Sequence, residues 1–543
     1  MNDSERGAAS TNKPPPPSVK PGAILAWAGA FILILAVVLI DLAFNGSLGG
    51  NYNEFEAGKV ADRDVRAERS ISCDGRIIEQ GTRIIRKGFV ITEEQMTELS
   101  LLQKITPESD HSLVLAYALF LLLLCGLLCF FCGRRVVERE LTSREMYLVI
   151  GLSVLYIAGS VLVKNISVEA MPVSVVVPTA LIIMLSSILI HPRLALLLAM
   201  ALPLGAFLAG SFDTPSYVFA LVSGAVAAYS LHGTEKRMDL VKAGLVIAAA
   251  NLVAMTAVLL WQRSAYGSYP YAFFWAALNG IASGMLVLGV LPPLEHALNA
   301  ATSFRLIELS DLNAPVLRKL FTAAPGTYSH SLMVANLAES ACRNIGANAL
   351  LARVGAYYHD LGKMDNPGYF VENQADYNCH DDMAPQLSAA VIRNHVKLGV
   401  EKAMQLRLPR EVIDIISEHH GNSVISWFYN KALRQENGGA DKTAINVEDY
   451  SYPGNPPRSR ESAVVMLADV TEAAVRTLEK PTPADIEKFI SELFAKKVGH
   501  GQLARSDLIF RDLETIKNAF VHVLAGYYHS RIEYPKDEEK KDG

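Results

Sequence analysis

The chain has 543 residues, 51% hydrophobic and 19% charged, with a net charge of −5, a pI near 6.3 and a mean hydropathy of +0.23. Soluble domains carry about a quarter charged residues, and the shortfall here is local: 17 charges fall between residues 112 and 292, and 88 in the rest of the chain. This excludes both a single globular domain and a purely membrane-embedded transporter, and the acidic balance gives no reason to expect a nucleic-acid polymer as partner.

In chain order, residues 1–20 hold the run Pro14-Pro15-Pro16-Pro17 and no apolar periodicity, which reads as a disordered tail. The uncharged stretch 21–40, ended by Asp41, is long for a signal peptide and lacks a small-residue cleavage site, so a retained first span within 21–44 is expected. Seven further uncharged runs follow at 112–133, 146–163, 170–190, 194–212, 214–233, 243–262 and 264–294. Each is near or above the ~18–20 residues that a helix needs to cross a bilayer. The expectation is eight spans, one plus seven, with the seven-span domain at 112–294.

Short loops orient the spans. Arg134, Arg135, Arg139, Arg144, Arg193, Lys236, Arg237 and Lys242 lie on one side, against Lys164 and Arg263 on the other. Basic loops face the cytoplasm, so both termini are expected there. Residues 45–111 become a small extracytoplasmic segment, residues 295–535 a cytoplasmic domain and 536–543 a charged tail. Within the outer segment, 56–65 reads as a strand entry, 81–88 as a hairpin arm, and 92–103 as a helix capped by Thr92 with Gln95. At this size it suits a modest sensor or a dimerisation element, which makes a second copy of the chain a candidate partner beside the lipid bilayer. Six cysteines, three of them at 125, 129 and 132 in one apolar run, make no disulfide framework.

Beyond residue 300 the apolar residues recur at three-to-four spacing at 316–320, 332–345, 349–358, 387–398, 411–419, 463–478 and 516–528, so this domain is expected to be all-helical. Along it run His330, His359-Asp360, His395, His419-His420 and Asp469. Any one of these suits a buried, satisfied side chain. Together, five imidazoles and two carboxylates suffice for two divalent cations sharing one carboxylate, and the lack of thiolates argues against a structural zinc site. Such a pair activates water and clamps a phosphodiester.

The pattern His330, His359-Asp360, Asp469 resembles the HD superfamily of metal-dependent phosphohydrolases, and His395 with His419-His420 resembles its binuclear branch. Longer stretches narrow this: Gly326-Thr327-Tyr328-Ser329-His330-Ser331-Leu332, Tyr357-Tyr358-His359-Asp360, Tyr369-Phe370-Val371-Glu372-Asn373-Gln374, Tyr452-Pro453-Gly454 and Leu467-Ala468-Asp469 look like the seven-transmembrane receptor HD family, the PgpH-like cyclic-di-AMP phosphodiesterases. The resemblance implies an all-α fold: one span, an outer segment, seven spans and a C-terminal cytoplasmic HD-type phosphohydrolase. It implies one metal on His330, His359, Asp360 and Asp469, and a second on Asp360, His395, His419 and His420, with Mn or Fe favoured. A hydroxide between them would open cyclic-di-AMP to linear pApA in the bacterial cytoplasmic membrane. Asp360 and Lys363 would be catalytic, Lys363 by offsetting phosphate charge. Tyr369 and Phe370, with Arg458 and Arg460, are candidates for base stacking and phosphate contact.

Departures from the family are the short outer segment, Cys379 before His380-Asp381, and Leu503-Ala504-Arg505-Ser506-Asp507. Gly421-Asn422-Ser423 after the paired histidines, where the cyclic-di-GMP enzymes carry Gly-Tyr-Pro, argues against that substrate. The competing readings are a receptor or scaffold that binds nucleotide without turnover, a hydrolase of another dinucleotide, and a transporter. The absence of charges inside the runs disfavours the transporter. Residues 311–320 are expected to form a helical coupler to the metal site.

Overall fold

The computed structural model describes residues 21–44, 55–61, 64–67, 71–73, 76–78, 81–105, 111–132, 134–137, 141–164, 173–231, 233–234, 236–264, 266–374, 377–436, 445–478 and 481–528. The expected tails at 1–20 and 536–543, and the loop residue Arg139, lie outside them. The chain divides into two compact units at Leu291/Pro292.

The first unit opens with α1 (Pro21–Phe44), whose Trp27, Ile34 and Val38 are buried while Leu25 and Ile32 on other faces are exposed. A helix apolar all round and half-exposed is built for lipid. Two small antiparallel pairs follow: β1 (Val65–Arg66) with β4 (Arg83–Ile85), and β2 (Ile71–Cys73) with β3 (Arg76–Ile78). Helix α2 (Glu93–Ile105) starts at a reciprocal cap, Thr92 N donating to Gln95 Oε1 at 3.0 Å and Gln95 N to Thr92 Oγ1 at 3.3 Å. Phe55, Val65, Ile84, Ile85, Ile91 and Leu99 form its small core. Among the described residues of the stretch 56–65, a turn forms at Ala57-Gly58, where Gly58 at φ +89° bends the chain, and Val60 bridges to Val90.

The membrane part runs α3 (His111–Phe131), α4 (Arg134–Val137), α5 (Ser143–Val163), α6 (Thr179–Leu189), α7 (Pro192–Leu208), α8 (Thr214–Ser230), α9 (Arg237–Trp261) and α10 (Tyr269–Leu298). With α1, eight apolar helices coincide with the eight runs, and five are long and apolar enough to cross a membrane. The run 170–190 is the clearest departure. Pro178 sits at the N-cap of α6, so the run breaks into a 3-10 turn (Val173–Val175) and an 11-residue helix too short to span alone. Side-chain hydrogen bonds tie the bundle: Tyr156 with Thr179 at 2.9 Å and Asn251 Nδ2 to Asn279 Oδ1 at 3.2 Å between helices, and Ser160 with Ser211 of the loop after α7 at 2.7 Å. Asp41, which closes the first run, pairs with Lys164. The protein is a multi-pass membrane protein.

The second unit is helical: α11 (Ser303–Leu309), α12 (Pro315–Ala323), α13 (Pro325–Asn344), α14 (Ala349–Tyr358), α15 (Pro385–Gln405), α16 (Arg410–Glu418), α17 (Ser426–Glu436), α18 (Arg460–Val475), α19 (Pro483–Gly499) and α20 (Phe510–Tyr528). Among its described residues the only β pairing is the bridge Val424–Ser451. Helix α18 is central: Ala463 to Ala468 are all fully buried, against Val334, Leu337, Val354, Ile416 and Phe520. A helix enclosed on every side positions a polar side chain rigidly, and Asp469 is the next residue. The expected coupler at 311–320 is helical only from Pro315. Ahead of it Asp311 Oδ1 accepts from Asn313 N at 2.9 Å and makes a turn.

Candidate metal centre

Four of the candidate ligands, His359, Asp360, His419 and His420, sit where a helix stops, and His330, His395 and Asp469 lie within helices. His330 lies in the second turn of α13, whose first N–H groups are satisfied from outside by Asn373 Oδ1, at 2.9 Å from Gly326 N and 3.2 Å from Thr327 N. His359 caps α14, and Asp360 leads into the 3-10 turn Leu361–Asp365. His395 is on α15, His419 caps α16 and His420 follows in the turn.

The seven side chains converge. Asp360 stands between two groups. Its Oδ2 lies 3.3 Å from His359 Nε2 and 3.8 Å from His330 Nε2, while Oδ1 lies 3.4 Å from His395 Nε2 and 3.9 Å from His419 Nε2. Asp469 faces His330 at 3.1 Å and His359 at 3.8 Å through Oδ1, and His420 Nδ1 at 3.4 Å through Oδ2. Asp469 thus reaches toward both groups, which the sequence pattern did not indicate. Potential donor atoms of His330, His359 and Asp360 lie within 4.8 Å of one another, as do those of His395, His419 and His420.

The donor chemistry fits cations. His359, His395 and His419 bond through Nδ1 to the carbonyls of Ala356, Ile392 and Ile416 at 2.7, 2.6 and 2.7 Å. A carbonyl only accepts, so Nδ1 carries the hydrogen and a neutral ring presents its Nε2 lone pair to the centre. Burial pulls His395 down to about 4 and His419 to about 3, so both are neutral near pH 7. Their Nε2 atoms nevertheless face each other at 3.3 Å. Two lone pairs at that distance repel unless a cation takes both. Asp360 Oδ1 is fully buried with no hydrogen bond, which is the same deficit on the carboxylate side.

On the other side protons can stand in. Burial disfavours the imidazolium at His359, but Asp360 and Asp469 overcome it and lift the ring to about 10; His330 is raised as well. Near neutrality the His359 ring therefore holds a proton that a cation must displace. Loading the metal-free protein at pH 7 is expected to release at least one proton, and affinity should climb with pH up to about 10. Calorimetry of Mn²⁺ binding in two buffers of different ionisation enthalpy reads this directly. Heats independent of buffer would refute it.

Lys363 Nζ lies 2.7 Å from Asp360 Oδ2, 2.8 Å from Glu372 Oε1 and 4.9 Å from the Phe370 ring centroid. Lys363, Phe370 and five of the ligands line one cavity of about 250 Å³. Three sequence candidates stand elsewhere. Tyr369 faces a separate hollow with Asn366, Gln374 and Tyr377. Arg458 is drawn to Glu418, its N–H 3.1 Å from Oε2 and Nε 3.5 Å from Oε1. Arg460 donates to Ile345 O at 2.7 Å and meets Asp512 at 3.3 Å, stapling the start of α18 to α20 and to the end of α13. These arginines hold helices together; neither lines the cavity.

Sequence reasoning passed over Glu472, which accepts from His330 Nδ1, and Glu372, which accepts from Lys363 and from Thr327 Oγ1 at 3.1 Å. Glu472 lies one helical turn past Asp469, and that i, i+3 spacing was its available signal. Tyr452 was also missed as a wall residue; its ring lies 4.2 Å from that of His420.

Residues 112–302 match the family described as 7TM receptor with intracellular HD hydrolase, and residues 327–474 match the HD domain. The two matches lie in the order in which that description names its parts, so the apolar part and the helical domain are each similar to the corresponding part of the seven-transmembrane HD family. It is 39% identical over 373 residues to a protein of Bacillus subtilis strain 168 named cyclic-di-AMP phosphodiesterase PgpH, covering 67% of this chain and 52% of the relative. A protein of the same name from Listeria monocytogenes serotype 1/2a strain 10403S is 32% identical over 473 residues, 85% of this chain and 64% of the relative. The chain therefore spans between half and two thirds of the length of these relatives. The crystal structure of the L. monocytogenes PgpH HD domain in complex with cyclic-di-AMP aligns with 40% of this chain and 99% of its own, at 39% identity and a TM-score of 0.38. An HD hydrolase domain implies divalent-metal binding, and the His/Asp clusters supply the donors for it.

Proposed function

We propose that this protein is a membrane-anchored phosphodiesterase that opens cyclic-di-AMP to linear pApA, using two divalent cations, Mn or Fe. The observation that carries the reading is Asp360, whose two oxygens each face a separate pair of imidazoles. His330, His359, Asp360 and Asp469 would hold one cation, and Asp360, His395, His419 and His420 the other. The names of the relatives supply the substrate.

When bound, a cation pair supplies Lewis acidity, lowering the pKa of water and neutralising a phosphodiester. The chain's own residues do the rest. Glu472 takes the Nδ1 hydrogen of His330, and backbone carbonyls take those of His359, His395 and His419, which fixes every one of these rings. Lys363, held between Asp360 and Glu372, places a fixed positive charge at the cavity wall beside the scissile phosphate. Hydrolysis then breaks one P–O3′ bond and leaves a 5′-phosphate and a free 3′-hydroxyl.

In this reading the site lies in a cytoplasmic domain at 295–535, attached to the spans at 21–44 and 112–294 in the bacterial cytoplasmic membrane, with both termini in the cytoplasm. The segment 45–111 lies outside and regulates turnover, alone or by pairing two copies. The test uses the full chain in detergent with Mn²⁺ and a panel of cyclic and linear dinucleotides. Conversion of cyclic-di-AMP to pApA, abolished by chelation, is expected. Metal-loaded protein that leaves cyclic-di-AMP intact sinks the reading.

A further inference from the structure

Three cationic side chains line the cavity, and they are not equivalent. Lys363 is committed to Asp360 and Glu372, and Arg476 Nη1 stands 3.9 Å from Glu472 Oε1. Lys497 has no such partner. Its Nζ donates to a neutral hydroxyl, Ser423 Oγ, at 2.9 Å, and among the described residues no carboxylate lies within ion-pair distance. Lys497 is part-buried, and an ammonium even partly withdrawn from water without an anion is costly unless one is delivered. Burial does pull Lys497 below the usual lysine range, with Asp469 offsetting part of that.

The position of Lys497 is built. It sits in the last turn of α19, and the chain just beyond returns, Gln502 N donating to Lys497 O at 3.1 Å. Gln502 Nε2 then donates to Asn422 Oδ1 at 2.5 Å. Ser423, the partner of Lys497, donates its N–H to His420 O at 3.1 Å, and its own carbonyl accepts from Tyr452 N at 3.0 Å. The end of α19 is thereby fastened to the turn that bears His420, and Lys497 is held at the cavity wall beside that turn rather than left to wander.

A cyclic dinucleotide carries two phosphodiesters, of which only one reacts at a time. We infer that Lys497, assisted by Arg476, forms the subsite for the second, non-reacting phosphodiester, making it a specificity-determining residue for two-phosphate substrates. The inference rests on the phosphodiesterase reading and adds to it a reason why the site favours a cyclic dinucleotide over a simple diester. Anchoring the far phosphate also turns the near one toward the metal ligands, an orientation effect on reactivity.

The experiment compares full-length wild type, Lys497→Met and Lys497→Arg, loaded with Mn²⁺, on cyclic-di-AMP and on bis(p-nitrophenyl) phosphate, which has one phosphate. Methionine keeps the apolar stem and deletes the charge. The expected result is a KM increase for cyclic-di-AMP at least about tenfold larger than for the one-phosphate diester, with recovery in Lys497→Arg. Equilibrium binding of a non-hydrolysable phosphorothioate analogue to the chelated protein should weaken by a similar factor. Equal losses on both substrates, or loss of bound metal in Lys497→Met, would assign Lys497 a structural role and overturn the inference. No change on either substrate overturns it as well. Wild type that cleaves the one-phosphate diester but spares cyclic-di-AMP defeats the phosphodiesterase reading itself, and this subsite with it.

Discussion

Asp360→Asn is expected to lower kcat/KM for phosphodiester cleavage at least about 10³-fold, roughly 4 kcal/mol of transition-state stabilisation. The reason lies in how much one carboxylate does. Four imidazole nitrogens stand within 3.9 Å of its two oxygens, and Oδ1 is buried without a hydrogen bond. An amide keeps the shape but removes the charge, and it aims an N–H donor at one group of imidazoles where an acceptor belongs. On the proposed two-cation reading, bound metal should fall from two ions per chain to one or none, read by elemental analysis of purified protein. Although burial opposes ionisation of Asp360, His359 and Lys363 hold its carboxyl well below the usual range, so the wild-type group stays charged throughout the working pH range. Asp365, at the end of the same 3-10 turn, supplies the contrast. It is half-exposed, pairs with Lys402 at 2.5 Å and belongs to neither group of donors. Asp365→Asn should leave activity within about twofold, because Asp365 faces neither group of donors. An Asp360→Asn protein that keeps two metals and most of its activity would remove the shared-carboxylate arrangement.

The seven clustered side chains were legible in the sequence because chemistry marks them: imidazole and carboxylate in an otherwise apolar helical context have few structural uses in such number. Helices α13 to α16 and α18 were legible by their periodicity, and the eight apolar runs by their lack of charge. What escaped was set by packing across the chain. Arg458 and Arg460 were assigned to phosphate because they precede Asp469, yet Glu418 and Asp512, both distant in sequence, claim them. Lys497 was passed over for the converse reason: nothing near it in sequence distinguishes it from the neighbouring Lys496, and only the return of the chain at Gln502 brings it to the cavity. The helix that carries it, α19, and α17 before it, were also overlooked, α17 having a weak apolar stripe interrupted by Asn430 and Lys431. The break in the run 170–190 is a proline effect readable in principle from Pro178, but uncharged length alone masked it.

Gly362→Ala is expected to destabilise the HD domain by about 3 kcal/mol, and to lower activity as well. A methyl group at Gly362 would lie 1.8 Å from His395 O and 2.7 Å from Gly399 N, both backbone atoms of α15 that cannot swing away. The 3-10 turn and α15 must then separate, and these two elements carry Asp360 and His395, whose Oδ1 and Nε2 stand 3.4 Å apart. A shift of about 1 Å between catalytic groups typically costs about 10²-fold. The variant should therefore lose metal affinity on the side of His395, His419 and His420 while the His330 side is less affected, which metal titration followed by elemental analysis would read. Gly368 lies in the next 3-10 turn, Pro367–Tyr369, and an added Cβ there meets nothing within 4 Å. Gly368→Ala should accordingly stay within about 0.5 kcal/mol of wild type in thermal unfolding. If both glycine variants unfold alike, the close approach of the 3-10 turn to α15 is not what holds Asp360 against His395.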